Sequence, residues 1–268
     1  MLQLTKDHPN NGKAFHCRKH RHSKQNADAV LFDLFDTLVL LSDEQASYIN
    51  SLKTTHKYLS ENGLNCSFKA FKQAYLKTVD KIYTETAISL EEPHFSVYIE
   101  DTINELNHDL KDKTFLALEA VNKFSEEFKK YITLDTQALE VLESIHENHK
   151  IGLISNLSFS ECAWDLLDKF SLKQFLDVII VSGDVNLRKP HPQIFNMGLR
   201  YLGVKPSRTV FVGDTLETDI VGSKNVGMTS VHIKRRTAQN VDITPHQTIT
   251  ELKQLLPIIG LDEIALAP

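Results

Sequence analysis

Six polar residues stand where apolar runs give out, and their types could serve group transfer from an anionic substrate. Asp33 closes "AVLFD", Ser155 and Asn156 follow "IGLI", Lys189 lies in "LRKPHPQIF", Asp214 closes "TVFVGD", and Asp219 follows in "GDTLETD". Carboxylates can attack an electrophile or hold a hard cation, while a hydroxyl and an ammonium can steady a transferring oxyanion. Singly, each has an ordinary structural explanation, such as a helix cap, a turn or an exposed lysine. Their shared position at strand ends is what carries weight.

The elements needed to position them are legible. Continuous apolar runs at Ala29–Asp33, Ile151–Ser155, Asp177–Ser182, Thr209–Asp214 and Thr229–Ile233 read as strands buried on both faces, alternating with helical patterns. That alternation predicts an α/β domain, a Rossmann-like parallel sheet with helices on both faces. In such sheets the carboxyl ends of the strands open on one crevice, where all six residues would converge. Ser158 with Glu161, and Thr248 with Glu251, have the spacing of capping boxes, and Gly203 and Gly227 fall where helices should stop.

Residues 41 to 134 differ in character. Four helical stripes run through them: Tyr48, Leu52 and Leu59; Phe68, Phe71, Tyr75 and Ile82; Ile99, Ile103, Leu106 and Leu110; and Val121, Phe124, Phe128 and Tyr131. No strand pattern is evident. The expected organisation is a basic tail over 1–27, an α/β core over 28–40 and 135–268, and an all-helical cap domain over 41–134.

Composition narrows the class. With 268 residues and 41% hydrophobic content, the chain can bury a substantial core. No apolar run is long enough for a membrane span and the first 30 residues lack a secretory centre, so a cytoplasmic location is expected, with no membrane partner. Three scattered cysteines predict reduced thiols. The formal charge of -5 hides a basic tail, six Lys and Arg against Asp7, including the stretch "FHCRKHRH". Such a short aperiodic run reads as solvated, so nucleic acid is not an expected partner. "KRR" at 234–236 reads likewise as a solvated loop, and no oligomeric state can be read.

In their order along the chain, the strand-end residues and the inserted helical stretch resemble the haloacid dehalogenase-like superfamily, from about Asp28 to the C-terminal region. "RKPHPQIF" and "VGDTLETDIVGSKNVGM" lie close to its usual wording. The resemblance implies that Asp33 is the nucleophile, that Ser155, Asn156 and Lys189 hold the substrate phosphate, and that Mg2+ is the cofactor. It places the ion on Asp33, the backbone carbonyl of Phe35 and Asp214, with Asp219 and Thr37 in support. The inserted lobe would be the cap that closes on substrate.

One position departs from the pattern. Phosphatases of this superfamily carry a second Asp two residues after the nucleophile, as general acid and base, and this chain has Phe35. Asp36 comes one residue too late to substitute. The loss of a group contributing roughly 10²- to 10⁴-fold is heavy but not necessarily fatal. The expected function is a Mg2+-dependent phosphatase acting on a small phosphorylated molecule through an aspartyl phosphate. Two alternatives stand beside it, a 2-haloacid dehalogenase-type hydrolase, whose members have an aromatic at this position, and an inactive relative that binds a phospho-ligand or a partner.

Overall fold

The computed structural model describes residues 27–106, 110–235 and 242–261; the basic tail up to residue 26, Arg236 and His108 lie outside them. Six strands form one parallel sheet: β1 (Ala29–Phe32), β4 (Lys150–Ser155), β5 (Val178–Val181), β6 (Thr209–Gly213), β7 (Thr229–Ile233) and β8 (Gln247–Ile249), with β2 and β3 paired separately. Their spatial order is β5-β4-β1-β6-β7-β8. The chain winds outward from β1 through β4 to β5, then returns to the other side of β1 for β6, β7 and β8. The winding reverses between β1 and β6, which is where such sheets open their crevice.

Alternation along the strands divides the core. Val30 and Phe32 of β1 and Val210 and Val212 of β6 face one side, against α5 (Ala138–His146), α6 (Ser160–Lys169) and α10 (Leu255–Ile259). Ala29, Leu31 and Phe211 face the other, against Ile194, Phe195, Leu199 and Leu202 of α8 (Pro192–Leu202). All four residues of β1 are fully buried, and burying each large apolar side chain contributes about 1.5–3 kcal/mol. The sheet end that carries Asp33 is therefore a rigid platform.

Between β2 (Val39–Leu41) and β3 (Ile132–Leu134) run four helices, α1 (Glu44–Glu61), α2 (Phe68–Glu85), α3 (Phe95–Leu106) and α4 (Lys113–Phe128). Asp43 caps α1 by accepting from the Ala46 amide at 2.8 Å, and Ser67 caps α2 through Ala70. The stripes pack inward, with Leu52, Phe71, Ile99 and Phe124 fully buried. Two short helices complete the core, α7 (Ser182–Val185) and α9 (Val221–Asn225).

Several local expectations are corrected. β2 and β3 pair antiparallel, Val39 opposite Leu134, although no strand was legible there; three-residue strands are too short to show a period. α6 begins at Ser160 with no side-chain cap, because Phe159 stands at the N-cap position, one residue past Ser158, and Glu161 pairs with His94 (3.0 Å). Thr248 lies in β8, paired to His232 of β7; the box that does form joins Glu251 and Gln254. The β-branched run Thr248, Ile249 and Thr250 favours extension over a helix start. Arg235 is no solvated loop residue, since it pairs with Asp135 at 2.6 Å. Gly203, with φ of 67°, ends α8 as expected.

Candidate active site

Asp33 follows β1 directly, its amide bonded to the Val212 carbonyl of β6 at 2.9 Å. The next residues turn sharply: Leu38 and Val39 both donate to the Leu34 carbonyl, and Asp36 takes a left-handed φ of 50°. That turn aims Asp36 at the ribbon, where its Oδ1 accepts from the Leu41 amide at 3.2 Å. Phe35 points to the helices, edge-on to Phe128 with ring centroids 6.1 Å apart. Phe128 in turn touches Phe124 and Phe159, so Phe35 extends an aromatic cluster that joins the inserted helices to α6.

Lys189 arrives from the loop before α8 and is 2% exposed. Its Nζ lies 2.6 Å from Asp33 Oδ1, 2.7 Å from Asp219 Oδ1 and 2.8 Å from the Ile154 carbonyl. Burial opposes charge on this ammonium, but Asp219 and Asp33 outweigh it and raise its pKa. The backbone of Lys189 is clamped by Asn156, whose side chain accepts from the Lys189 amide at 2.8 Å and donates to its carbonyl at 3.0 Å.

β6 supplies Asp214. Beyond it, a π-helical turn over Leu216–Ile220 brings Asp219 back to accept from the Thr215 amide at 3.0 Å. Gly213 makes that return feasible, because a Cβ there would stand 2.4 Å from Asp219 Oδ2. His232 of β7 donates to the Asp214 carbonyl at 3.0 Å and fixes it from the far side.

Asp33, Asp214 and Asp219 each offer a carboxylate oxygen within 4.8 Å of the others. Three carboxylates against one ammonium leave surplus negative charge in a buried place. Burial pushes the Asp33 carboxyl up to about 7, with Asp219 and Asp214 reinforcing the shift and Lys189 opposing it. Asp214 rises to about 6, through burial first and then through Asp219 and Asp36. A divalent cation would relieve this crowding, so the donor set fits a hard, oxygen-seeking ion. The buried hydroxyls of Ser155 and Thr37 have no hydrogen-bond partner among the described residues, a state that oxygens of a bound oxyanion would correct.

The sequence-predicted residues thus gather as follows. Asp33, Lys189, Asp214 and Asp219 share one cluster, and Ser155 closes β4, the strand beside β1. Asn156 spends its amide on the Lys189 backbone. His232 and Arg188 were not singled out in the sequence. Arg188 donates to Thr86 Oγ1 (3.0 Å), the Thr86 carbonyl (3.2 Å) and the Glu91 carbonyl, and its amide donates to the Leu90 carbonyl (2.8 Å). Its place beside Lys189 was the available signal.

A cavity of about 440 Å³ opens over Lys189 and Asn156, walled by the inserted helices. A larger, more open groove of about 710 Å³ between α1 and α2 contains none of the acidic cluster. No helix among the described residues is long and apolar enough to cross a membrane.

With a strand-end Asp, a hydroxyl, a buried Lys and an acidic loop at the switch point of a parallel sheet, the chain belongs to the haloacid dehalogenase-like hydrolases, whose family model matches residues 30–233. It is similar to a glyceraldehyde 3-phosphate phosphatase of Methanothermobacter thermautotrophicus, 24% identical over 85% of this chain and 99% of that one. The phosphatase of the same description from Methanopyrus kandleri is 27% identical over 86% and 96%. Among solved structures, a 2-haloacid dehalogenase from Pseudomonas syringae pv. tomato DC3000 shares the fold, with a TM-score of 0.68 at 20% identity over 87% and 98% of the two chains.

Proposed function

We propose that this hydrolase is a Mg2+-dependent phosphatase acting on a small phosphorylated molecule through an aspartyl phosphate on Asp33. The observation that carries the reading is the convergence of the Asp33, Asp214 and Asp219 carboxylates around the Lys189 ammonium. The full-length similarity to two curated phosphatases supports it.

Asp33 and Asp214, with the Phe35 carbonyl, would hold the ion. When bound, Mg2+ supplies positive charge that lets an anionic carboxylate approach an anionic phosphate. The residues of the chain do the rest. Lys189 holds Asp33 Oδ1 at 2.6 Å, so attack on phosphorus falls to Oδ2. As that bond forms, the bond to the leaving oxygen breaks; Ser155 and Lys189 stabilise the transferring oxygens. Water then hydrolyses the aspartyl phosphate and restores Asp33. Asp219 keeps Lys189 charged and placed.

Because Phe35 offers no proton, the leaving oxygen must take one from water or depart without it. Acyl and aryl phosphates suffer least from that loss and alcohol phosphates most. Phe35 itself favours one competing reading: an aromatic beside the nucleophile suits halide departure, which needs no proton. Three clustered carboxylates argue against it, since they fit a divalent cation that halide displacement by a carboxylate does not need.

The test is a panel of acetyl phosphate, p-nitrophenyl phosphate, a sugar phosphate and a 2-haloacid, each with Mg2+ and with a chelator. Metal-dependent phosphate release that disappears in Asp33→Asn is expected. Metal-independent halide release would overturn the proposal, as would silence on every phosphate while phosphate still binds.

A further inference from the structure

The cavity over Lys189 has a polar wall that the chemistry of phosphate transfer does not use. At its floor stand Lys189 and Asn156; its walls include Glu92, Tyr98, Arg188, Tyr83, Tyr48 and Tyr75. The Tyr48 and Tyr75 hydroxyls are bonded to each other, so these two rings supply shape. Tyr98 differs. It is 3% exposed, and its hydroxyl has no partner among the described residues. A buried phenol in that state costs free energy that a ligand oxygen would recover.

Glu92, 4% exposed, stands in the same wall. Burial makes its carboxyl resist ionisation, and the nearby Arg188 opposes that only in part; the Arg188 guanidinium lies over the Tyr83 ring at 5.0 Å and donates to the neutral acceptors of Thr86 and Glu91. A cationic ligand is disfavoured, because Arg188 would repel it and a buried carboxyl that resists ionisation offers it little charge. A neutral hydroxyl fits the pair of unspent groups, donating to Glu92 and accepting from Tyr98, with its carbon skeleton against the aromatic rings.

We infer that this cavity selects a hydroxylated leaving group, with Glu92 and Tyr98 as the specificity-determining residues. The inference rests on the phosphatase reading for its orientation: the phosphoryl group lies at Lys189 and the remainder of the ester points into the cavity. Among alcohol phosphates, all of which carry the same loss at Phe35, it favours esters of hydroxylated small molecules over those of plain alkanols.

The matched probes are glycerol 3-phosphate and n-propyl phosphate, which differ in two hydroxyls. Wild-type protein with Mg2+ should prefer the glycerol compound by roughly tenfold or more in kcat/KM, since a site built to bond a hydroxyl rejects the analogue lacking it. Tyr98→Phe, which keeps the ring, and Glu92→Leu should each pull that ratio toward one by lowering the glycerol value alone. The same affinity ratio is read by calorimetry on Asp33→Asn protein, which can hold either compound without turning it over. A ratio near one in the wild-type protein, or a ratio unmoved by Tyr98→Phe, overturns the subsite. Absence of phosphate release with the affinity preference intact upholds the subsite and overturns the phosphatase reading instead.

Discussion

Asn156 grips both polar atoms of the Lys189 peptide, accepting from its amide and donating to its carbonyl. A residue at the end of β4 thereby fixes the backbone of the loop that delivers the buried ammonium to Asp33.

Asn156→Ala should therefore lower kcat by about tenfold to a hundredfold, because small displacements of a positioned charge are costly. It removes two part-buried hydrogen bonds, so a stability loss of about 1–3 kcal/mol should accompany it. Phosphate release and urea unfolding measure the two separately. An unchanged kcat in a destabilised protein would reduce Asn156 to a structural residue.

Phe35→Asp should accelerate alcohol phosphates more than acetyl phosphate, since only the former need a proton on the leaving oxygen. The gain is bounded by roughly 10²- to 10⁴-fold. The substitution also forfeits the edge-to-face contact with Phe128, worth about 0.5–1.5 kcal/mol. Equal acceleration of both substrate types would show that Phe35 does not limit turnover through the missing proton.

Mg2+ should raise the melting temperature of the wild-type protein and leave Asp214→Asn nearly unmoved. At a hundredfold excess over Kd, a ligand bound only by the folded state adds about 2.7 kcal/mol. A thermal scan with and without chelator decides this. Equal shifts in both proteins would place the ion elsewhere.

Glu92 gives a prediction in pH. Burial raises its carboxyl to about 7 from the ordinary 4.5, with Arg188 opposing. Ionisation is thus harder in the folded protein than in the unfolded chain. The resulting stabilisation is fully present below 4.5 and is lost as pH rises through 7. Glu92→Gln should flatten that fall and be more stable than wild type at pH 8. Urea midpoints at pH 5 and pH 8 test it, and a parallel loss for both proteins would contradict the assignment.

Much of the site was legible because strand ends are local signals. Asp33, Ser155 and Asp214 each sit at or just past a short buried apolar run, and one topology sends such runs to one crevice. The ribbon of β2 and β3 and the strand β8 were not legible, since three residues carry too little pattern and their pairing spans dozens of positions. Glu92 lies in the polar stretch "EEPHF", which reads as solvated; only its packing among the cavity tyrosines and Arg188 reveals a buried acid. A strand-end amide gives no hint that Asn156 also bonds the backbone of a loop 33 residues onward.

Arg188 and Lys189 are consecutive, yet one fastens the segment from Thr86 to Glu91 while the other bonds Asp33. Any displacement of the Thr86–Glu91 segment would therefore load the same stretch of backbone that sets the Lys189 ammonium between Asp33 and Asp219.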